Sequence, residues 1–595
     1  MKILKVEITN FRNINNVSVP LNNVTTIIGN NNSGKSNFIR AITLPLLSED
    51  LGSGSKRLNW ADLGNESKEK YYTYINDNKM KILNEEIDLI EFKKNVPTVS
   101  VKITWKVNES EHYMMKDFLV NTPLKPEIEY SLQYKFYCKN PKELLNHVKK
   151  VLNKIEKDDN IEGVKLNLLP IDLFTYTICV PYKDKKVSYD LLESFTYNSV
   201  AAERDEFSNG NTRLGSKSLI KLLNNKLSTE DMINIEKQYL KFFDEIKEMS
   251  NMEEILNWQE YSEISNAKDF FNKISVLPNM PPMTSLLNSV KLGYDEDALS
   301  TQGLGYRNLI LQLVMINSLM EANKSIYSLL TIEEPEAHLC YRNEQIMKSY
   351  IAAIAEGKED IQLLYSTHSL QFINKLDLTN IILFDHGEAY SFSEIFTPKE
   401  LDYLARNPNL DIFKLFYSKS CILVEGITEE LLIKSYLSNQ KRYLNDVEVI
   451  SFHKGFTKII DLWLKINRNS SNKLGIIRDY DDEPKAKSIH EKYNYSEKNI
   501  IVATTNHYTL EDEIVNQGEN YKLLKTYFEE KYMWTDIDTS ENLASKWKGS
   551  KGEVMLSFCR DLTSNDLRDI KLPQHISKVL KELGVTVEDH IKDAN

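Results

Sequence analysis

The most constraining feature of the chain is a short glycine- and asparagine-rich segment near its start. Gly29–Ser36 reads GNNNSGKS and matches the eight-residue phosphate-loop pattern G-x-x-x-x-G-K-[ST]. An apolar strand at residues 24–28 precedes it, and a helical apolar pattern at residues 37–42 follows it. The alternative is an ordinary turn that matches by chance. The order strand, loop and helix favours nucleotide binding.

Each residue type in this segment suits phosphate chemistry. The glycines let consecutive backbone N–H groups point at phosphate oxygens, and the helix start adds partial positive charge. Lys35 is expected to reach the terminal phosphates, and Ser36 to bind Mg²⁺ through its hydroxyl. We therefore predict a nucleotide with Mg²⁺ as cofactors, and the predicted nucleotide-binding residues of this segment are Asn30, Asn32, Ser33, Gly34, Lys35, Ser36 and Asn37.

Length and charge set limits on what surrounds this segment. A chain of 595 residues is expected to form about two to four domains. The net charge of −12 argues against a uniformly basic surface, so a nucleic-acid partner needs a local site. Five scattered cysteines suggest neither disulfides nor zinc, and no apolar run reaches the about 18 residues of a membrane span. We expect a cytoplasmic chain with no membrane partner.

Apolar periodicity outlines the elements of the first half. Strict alternation over residues 99–107 and 128–136 predicts two half-buried strands. Residues 142–156 repeat at helical spacing, whereas the polar stretch 48–76 is interpreted as a loop or mobile segment. Residues 216–276 are typical of a helical insertion that the prolines of 277–282 bring to an end.

A second group of motifs occupies residues 299–370. A Ser/Gly-rich turn containing Ser300, Gln302 and Gly303 precedes a long helix, which suits close approach to phosphate, although an ordinary N-cap explains it equally well. The apolar strand 328–332 ends in Glu333 and Glu334, which can serve Mg²⁺ and an attacking water respectively. Another apolar strand precedes His368.

This ordered set resembles the ATP-binding-cassette class of ATPase heads found in chromosome-maintenance and double-strand-break-repair proteins. The resemblance implies that Ser300-Thr301-Gln302-Gly303 is the signature, Glu333 the metal-side acid, Glu334 the catalytic glutamate and His368 the switch histidine. Glu333 stands where an aspartate is commoner, which lengthens the arm and keeps the charge. In such heads the signature of one subunit completes the phosphate loop of another, which implies a homodimer or a higher oligomer.

The last third places acids at predicted strand ends. One apolar strand runs into Glu425, with Glu429 one helical turn further on, and a later strand ends in Asp479 and Asp481. The carboxyl ends of parallel strands share one edge of a sheet, so these acids are expected to converge there. Clustered carboxylates favour Mg²⁺ or Mn²⁺. The alternative is a set of solvated loop acids.

A strand ending in Glu-Gly and a later one ending in Asp-x-Asp resemble the topoisomerase–primase (Toprim) fold. A head followed by this fold is similar to the overcoming-lysogenization-defect (OLD) family of phage-defence nucleases, which includes the nuclease subunit of Gabija-type systems. That resemblance implies Glu511 as first choice and Glu513 as second choice for a second-metal ligand, and Lys551 as a catalytic lysine at the scissile phosphate. Residues 201–205 (AAERD) resemble a segment of the same family.

The predicted fold class is α/β, with an ATP-binding-cassette-type head, an inserted helical dimerisation subdomain and a Rossmann-like Toprim domain. The predicted boundaries are 1–205 for the first part of the head, 206–282 for the insertion, 283–396 for the second part, 397–414 for a connector and 415–595 for the Toprim domain.

The leading functional hypothesis is an ATP-regulated, metal-dependent DNA endonuclease in anti-phage defence. The main alternative is a DNA-binding ATPase that acts as a clamp or sensor, with a non-catalytic Toprim-like domain. A primase or topoisomerase is a weaker alternative, because no motif singles out a strand-linking tyrosine among the 31 tyrosines. Further partners left open are a UvrD-like helicase and a retron reverse transcriptase with its DNA.

Overall fold

The computed structural model describes the chain from residue 1 to residue 587 with internal gaps, and its backbone is α/β. The described residues are 1–48, 56–122, 125–154, 161–182, 186–200, 214–249, 287, 290, 292–295, 297–321, 326–357, 361–374, 377–407, 409–439, 447–452, 455–480, 483–562, 567 and 569–587. The predicted segment 201–205 and Asp481 lie outside these residues.

The elements up to residue 405 include both strands and helices. The strands are β1 Lys2–Phe11, β2 Ile14–Pro20, β3 Val24–Gly29, β4 Leu47–Ser48, β5 Val99–Lys106, β6 Leu119–Thr122, β7 Lys125–Cys138, β8 Phe174–Cys179, β9 Phe195–Val200, β10 Gly293–Tyr294, β11 Asp297–Ala298, β12 Tyr327–Glu333, β13 Ile361–Ser366, β14 Ile381–Asp385 and β15 Glu388–Ser391. The helices are α1 Lys35–Thr43, α2 Asn65–Asp77, α3 Lys79–Leu83, α4 Leu89–Asn95, α5 Pro141–Leu152, α6 Lys165–Leu168, α7 Tyr189–Leu192, α8 Leu214–Lys226, α9 Thr229–Met249, α10 Leu304–Glu321, α11 Tyr341–Gly357, α12 Phe392–Ile395 and α13 Pro398–Ala405.

An antiparallel sheet covers one side of this half in the order β2-β1-β5-β7-β6, with β8 paired to β7. In β5 the side chains of Val99, Val101, Ile103 and Trp105 are buried and the residues between them are more exposed. The alternation over residues 99–107 therefore predicted this strand correctly, because one face of the sheet packs on the core. The strand predicted over residues 128–136 lies within β7.

The second sheet carries the phosphate loop. Its order is β15-β14-β3-β13-β12-β9-β4, and every pair is parallel except β14 with β15. Strand β3 lies between β14 and β13, so the loop that follows it is at the centre of the sheet. Because the neighbouring strands run the same way, the segments that follow β3, β13 and β12 emerge at one edge.

One expectation about the first half was wrong. The stretch 48–76 was interpreted as a loop, but its last part forms helix α2, which buries Lys68, Tyr71, Tyr72 and Ile75. These positions have helical spacing, and two of them are tyrosines that hydrogen-bond through their hydroxyls to the carbonyls of Leu168 and Lys165. A tyrosine-lined face is polar by composition, which hid the amphipathic pattern.

The predicted helical insertion is described only in part. Helices α8 and α9 fall within the 216–276 stretch, and the remainder, including the proline-rich end, lies outside the described residues. Its role in dimerisation stays a prediction.

The C-terminal elements form a third sheet with helices around it. They are β16 Ser420–Val424, α14 Ile427–Asn439, β17 Val447–Ser451, α15 Phe456–Asn467, β18 Lys473–Arg478, α16 Pro484–Glu491, α17 Tyr493–Ser496, β19 Ile500–Thr504, α18 Leu510–Asn516, α19 Asn520–Tyr532, α20 Ser540–Gly549, α21 Lys551–Asp561 and α22 Gln574–Glu582. The strand order is β17-β16-β18-β19 and all pairs are parallel. This is the strand arrangement expected from the alternation of apolar strands and helices.

In the structure the connector between the two halves extends to Tyr417, three residues beyond its predicted end at residue 414, and it is a packed element. After α13, a 3₁₀ helix at Leu410–Phe416 buries Ile412, Phe413, Leu415 and Phe416. One apolar cluster includes these residues, Ile28 of β3 and Trp463 of α15. Trp463 also donates its indole N–H to the carbonyl of Leu415 at 3.0 Å. The sheet that carries the phosphate loop and the C-terminal sheet therefore share a continuous core through the connector.

No helix in the described parts of the chain combines the length and the apolar character needed to cross a bilayer.

His575, at the start of α22, is a buried ionisable group within the C-terminal core. It is 5% exposed, and neither ring nitrogen has a hydrogen-bond partner among the described residues. Burial lowers its pKa to about 4, although the nearby carboxylate of Glu513 acts in the opposite direction. The folded chain therefore holds this imidazole neutral at a pH where the unfolded chain protonates it.

Acidification is expected to destabilise the chain through His575. In the unfolded state the His575 imidazole is protonated below its ordinary pKa of about 6.5, whereas in the folded state it is protonated only near pH 4. The contribution of His575 to the free energy of unfolding is therefore fully present above pH 6.5. It falls by up to about 3 kcal/mol as the pH is lowered towards 4. The thermal unfolding temperature of His575→Gln should fall less between pH 7 and pH 5 than that of the wild type. His338→Gln, at an exposed histidine, should follow the wild type. Equal slopes for His575→Gln and wild type would contradict the assignment.

Candidate functional site

The phosphate loop turns sharply at its two glycines. Gly29 and Gly34 have φ of 145° and 122°, and Asn32 between them also has a positive φ of 59°. A Cβ on Gly29 would lie 2.2 Å from the carbonyl oxygen of Phe384 on the neighbouring strand. Only glycine is compatible with both the dihedral and this close approach. The glycine at position 29 thus has a steric cause in the sheet itself.

Lys35 is held inside the loop. Its Nζ donates to the carbonyl oxygens of Gly29 at 2.9 Å and Asn30 at 2.7 Å, and the side chain is buried. Burial lowers its pKa to about 8, and Glu334 and Glu336 act in the opposite direction. Ser36 follows it as an exposed residue of the first helical turn. The ammonium group is therefore already positioned within the loop by backbone acceptors.

Other side chains brace the loop from outside. Arg12 contacts Asp62 at 2.8 Å and donates to the side-chain oxygen of Asn37 at 2.9 Å, and Asn37 in turn donates to Asn13 at 2.8 Å. Asn13 then donates to the carbonyl of Asn32 at 3.1 Å. The predicted ATP-binding residues Asn32 and Asn37 are thus connected by one hydrogen-bonded network.

The loop also retains an unused polar atom. The hydroxyl of Ser33 is buried and has no hydrogen-bond partner among the described residues. Buried polar atoms are nearly always hydrogen-bonded, so a phosphate oxygen is a suitable partner here. Asn30 differs, because its amide donates to the carbonyl of Tyr417 in the connector at 2.6 Å. The residues present fit a nucleotide phosphate.

Glu334 and His368 are brought together across two neighbouring strands. Their side chains approach to 3.1 Å between Glu334 Oε1 and His368 Nε2. Glu334 has a positive φ of 45°, and its N–H donates to the carbonyl of Ser366 at the end of β13. Such a backbone conformation costs about 1–3 kcal/mol in a non-glycine residue and is common at functional sites. Burial and the nearby Lys35 lower the pKa of His368, and Glu334 counteracts this only in part. Glu333, the last residue of β12, is partly buried beside this pair.

Glu336 is a residue of the candidate site that the sequence motifs did not predict. Its Oε1 accepts hydrogen bonds from the hydroxyl of Thr367 at 2.8 Å and from the N–H groups of His368 at 2.6 Å and Ser369 at 3.0 Å. One carboxylate oxygen therefore fixes the backbone that carries His368. The spacing in Glu-Glu-Pro-Glu contained no signal for this contact, because it depends on β13 lying next to β12.

The predicted signature precedes α10. A 3₁₀ turn at Leu299–Thr301 leads into Gln302 and Gly303, and the side chain of Ser300 lies outside the described positions. Helix α10 contacts the turn after β12, where Gln312 donates to the carbonyl of Pro335 at 3.2 Å. Helix α10 thus contacts the acidic turn that follows β12. The ATP contact of Ser300, Gln302 and Gly303 stays a prediction.

At the C-terminal sheet, a buried arginine lies among the predicted metal ligands. Arg478 is the last residue of β18 and its guanidinium lies 3.8 Å from Glu425 Oε1 and 3.9 Å from Glu483. It also donates to the carbonyl of Asp479 at 3.0 Å and contacts His490 at 2.8 Å. This cation partly neutralises the acids and was not predicted. A charged residue at the end of an otherwise apolar strand was the available signal.

Glu429 and Glu511 are buried close to each other. Glu429 accepts from the N–H of Gly426 at 3.0 Å and from the hydroxyl of Thr428 at 3.1 Å. Burial raises its pKa, and the charge of Glu511 raises it further. Glu511 is 1% exposed, and its Oε1 has no hydrogen-bond partner among the described residues. Two buried carboxylates with an unused oxygen are a donor set that fits a hard divalent cation.

The carboxylate of Glu513, unlike that of Glu511, accepts several hydrogen bonds from the loop after β19. Its carboxylate accepts from the N–H groups of Asn506 and His507 at 3.0 Å each and from the His507 ring at 2.8 Å. Burial acts to raise its pKa, but the hydrogen bonds from His507 outweigh burial and the net shift is downward. Glu513 thus organises the loop after β19. The carboxylate oxygen without a partner among the described residues belongs to Glu511. Metal binding by Glu511 or Glu513 stays a prediction.

Among the remaining predicted residues, Asp479 is described in full, whereas Asp481 and the Lys551 side chain are not. Asp479 is buried directly after β18, whereas Asp481 lies outside the described residues. Lys551 is the first residue of α21, and its side chain is outside the described positions. Within the described residues, no three histidine, cysteine or acidic side chains are already gathered in a cation-binding geometry. Metal binding by Glu425, Glu429, Asp479, Asp481, Glu511 and Glu513 stays a prediction.

Comparison with known protein families identifies the first part of the chain. A family model described as an AAA ATPase domain matches residues 1–373. The chain belongs to the AAA ATPase domain family. Membership implies ATP binding, and the matched region contains the phosphate loop, Glu333, Glu334 and His368. The prediction of an ATPase head is confirmed at this level.

A curated relative matches over most of the chain. It is Endonuclease GajA of Bacillus cereus (strain HuB5-5), which is 22% identical over 637 residues, spanning 93% of this chain and 87% of the relative. The match therefore includes the region beyond the ATPase domain.

Solved structures also show weak likenesses. The SMC head domain from Thermotoga maritima has 12% identity and a TM-score of 0.27, and covers 66% of this chain and 99% of that one. Stu0660 of Streptococcus thermophilus has 12% identity and a TM-score of 0.28, with 68% and 80% covered. The recombination mediator RecF of the RecFOR pathway has 13% identity and a TM-score of 0.28, with 66% and 98% covered. These scores are too low to support an argument.

Removal of the Glu336 carboxylate is expected to slow ATP hydrolysis without weakening ATP binding. Glu336→Ala leaves the N–H groups of His368 and Ser369 without their acceptor, so the histidine loses its fixed position, and turnover should fall roughly 10–100-fold. Turnover and equilibrium binding of a fluorescent ATP analogue measure the two effects separately. Glu336→Gln retains an acceptor oxygen and should recover much of the rate, and Glu394→Ala, at an exposed glutamate, is the matched control. Unchanged turnover in Glu336→Ala would refute this role.

Proposed function

We propose that this protein is an ATP-regulated, metal-dependent DNA endonuclease of the OLD family that acts in anti-phage defence. The observation that carries the proposal is the presence of two separate sets of acids beside the carboxyl edges of two mainly parallel sheets. Glu333 and Glu334 accompany the phosphate loop. Near the C-terminal sheet, Glu425 and Asp479 directly follow β16 and β18, and Glu429 and Glu511 lie in the first turns of α14 and α18.

The relative supports the nuclease part of the proposal. Its name describes an endonuclease, and the match spans 93% of this chain, so the C-terminal sheet is included. The Glu-Gly sequence of the Toprim pattern directly follows β16, and Asp479, the first acid of the Asp-x-Asp sequence, directly follows β18. These two strands pair in parallel. The anti-phage role rests on the resemblance to the OLD family and Gabija-type nucleases.

We assign Glu425, Glu429, Asp479, Asp481 and Glu511 to the divalent cations, with Glu513 as the second choice beside Glu511. When bound, the cations would activate a water and stabilise the leaving oxygen of the scissile phosphate. The protein's own contribution is to hold the acids after strand ends and in the first turns of α14 and α18, and to keep Arg478 beside Glu425 as a counter-charge. Lys551 is proposed to stabilise charge at the scissile phosphate.

ATP acts as a regulator in this scheme. The phosphate loop lies against the connector, where Asn30 donates to the carbonyl of Tyr417, and the connector packs on α15 of the C-terminal half. A second copy of the chain is expected to supply the signature residues Ser300, Gln302 and Gly303. DNA is the proposed substrate, and Glu334 and His368 are the proposed hydrolytic residues of the head.

A second candidate is a DNA-binding ATPase that acts as a clamp or sensor. The observation that favours it is Arg478, because a buried cation beside Glu425 can replace a metal ion as the counter-charge of a purely structural site. Cleavage of supercoiled and linear DNA with Mg²⁺ or Mn²⁺, with and without ATP, separates the two candidates.

Asp479→Ala is expected to abolish cleavage while ATP binding stays unchanged. Loss of a direct ligand should lower the cleavage rate by more than about 100-fold, since loss of a residue that only hydrogen-bonds to a metal ligand typically costs about 10–100-fold. The measurement is conversion of supercoiled plasmid to nicked and linear forms, together with ATP binding by the same preparation. Asp538→Ala, at an exposed aspartate paired with Lys525, is the matched control. Retained cleavage in Asp479→Ala would refute the assignment.

The two late glutamates are expected to differ in a thermal unfolding assay. Mg²⁺ or Mn²⁺ should raise the unfolding temperature of the wild type by several degrees, because it binds only the folded chain. Glu511→Gln should lose this shift and gain stability without metal, since like-charge repulsion with Glu429 is removed. Glu513→Gln should keep the shift and lose stability, because its oxygens hold the loop of His507. The reverse pattern would make Glu513 the ligand.

A further inference from the structure

We infer that a pocket beside the Asp479 loop binds one nucleotide of the DNA strand next to the scissile phosphate. The inference rests on the proposed nuclease function and adds a subsite to it. The pocket has a volume of about 310 Å³ and is lined by Tyr480, Pro484, Lys487, Ser488, Glu491 and Asn506.

The pocket is adjacent to the proposed metal ligands in the chain and in the sheet. Tyr480 directly follows Asp479 after β18, and Asn506 belongs to the loop after β19, the neighbouring strand. The two loops are joined by Thr505, whose hydroxyl accepts from the N–H of Tyr480 at 2.9 Å and donates to the carbonyl of His507 at 2.8 Å. A ligand in this pocket would therefore lie beside the carboxyl edge of the sheet.

The lining has the chemistry of a nucleotide site. The Tyr480 ring is partly buried, and Lys487 Nζ lies 5.4 Å from its centroid. Aromatic rings bind single-stranded DNA by stacking on any base, and a lysine nearby contacts phosphate as a point charge. The amide of Asn506 and the hydroxyl of Ser488 can both donate and accept hydrogen bonds at a base edge. A volume of this size is at the lower end of small-molecule sites, which favours a single nucleotide.

The walls of the pocket are held in place before any ligand binds. Asn506 is fixed by Glu513, which accepts its backbone N–H at 3.0 Å and its side-chain amide at 3.3 Å. Helix α16, which carries Lys487, is anchored by buried His490, whose ring contacts Arg478 at 2.8 Å and the hydroxyl of Thr457 at 2.9 Å. Binding to such a fixed site costs little conformational entropy.

The acidic side chain among the described lining residues is already paired. Glu491 also lines the pocket, and its carboxylate lies 4.0 Å from Lys487. The contact keeps the ammonium group at the pocket rather than extended into solvent. A phosphate that approaches Lys487 competes with Glu491, so the lysine is expected to contribute less than the aromatic ring.

Equilibrium binding of a fluorescein-labelled single-stranded oligodeoxynucleotide to the full chain in EDTA tests the inference. Tyr480→Ala should weaken binding about tenfold or more through loss of stacking, and Tyr480→Phe should bind like the wild type. Lys487→Ala should weaken binding severalfold and reduce the salt dependence of affinity by about one phosphate contact. The matched controls are Tyr495→Ala, at a tyrosine that is 93% exposed, and Lys485→Ala, at an exposed lysine of the same helix.

The inference is overturned if Tyr480→Ala and the wild type bind the oligomer equally, or if the wild type does not bind it. It is also overturned if thymidine monophosphate alone binds through Tyr480 while the oligomer does not, because the site would then take a free nucleotide. The assay measures binding without cleavage, so its result can reject the proposed subsite without rejecting the nuclease function. Tyr480-dependent binding by a chain that does not cut DNA would retain the subsite and reject the nuclease.

Discussion

The feature on which both candidate sites depend is the parallel pairing of short apolar strands. In the seven-stranded sheet, the N–H of Thr367 donates to the carbonyl of Ile27, and in the C-terminal sheet the N–H of Thr505 donates to the carbonyl of Arg478. These bonds continue the strand pairing into the loops. Segments far apart in sequence therefore emerge side by side at one edge, where their polar side chains can act together.

This convergence concentrates negative charge, and each site contains a buried cation that offsets it. Lys35 lies within the phosphate loop near Glu334 and Glu336, and Arg478 lies beside Glu425. A buried carboxylate without a partner is costly, so these cations stabilise the folded chain before any ligand binds. Glu511 keeps an unused oxygen in spite of this, which is why a divalent cation is a reasonable occupant of that position.

The two sheets are joined by packing as well as by sequence. The connector helix Leu410–Phe416 inserts apolar side chains between β3 and α15, and Asn472, next to β18, donates to Asp385 of β14 at 2.9 Å. The phosphate loop touches the same connector through Asn30. The phosphate loop is thus in direct contact with residues that support the C-terminal sheet. A conformational change in the loop on ATP binding can therefore be transmitted to that sheet, which gives a physical route for the proposed regulation.

The sequence by itself determined the strands, the phosphate loop and the order of the acids, because local periodicity and glycine spacing depend only on neighbouring residues. The apolar periodicity did not predict α2, because tyrosines form its buried face. The connector was not predicted to be a packed element, although Leu410–Phe416 is rich in apolar residues. Only the tertiary structure decided that Glu336 holds the His368 backbone, that Arg478 pairs with Glu425, and that Glu513 binds His507 while Glu511 faces Glu429. These contacts join residues on different strands or on opposite sides of a loop, and no spacing along the chain specifies which side chains meet when the strands pair.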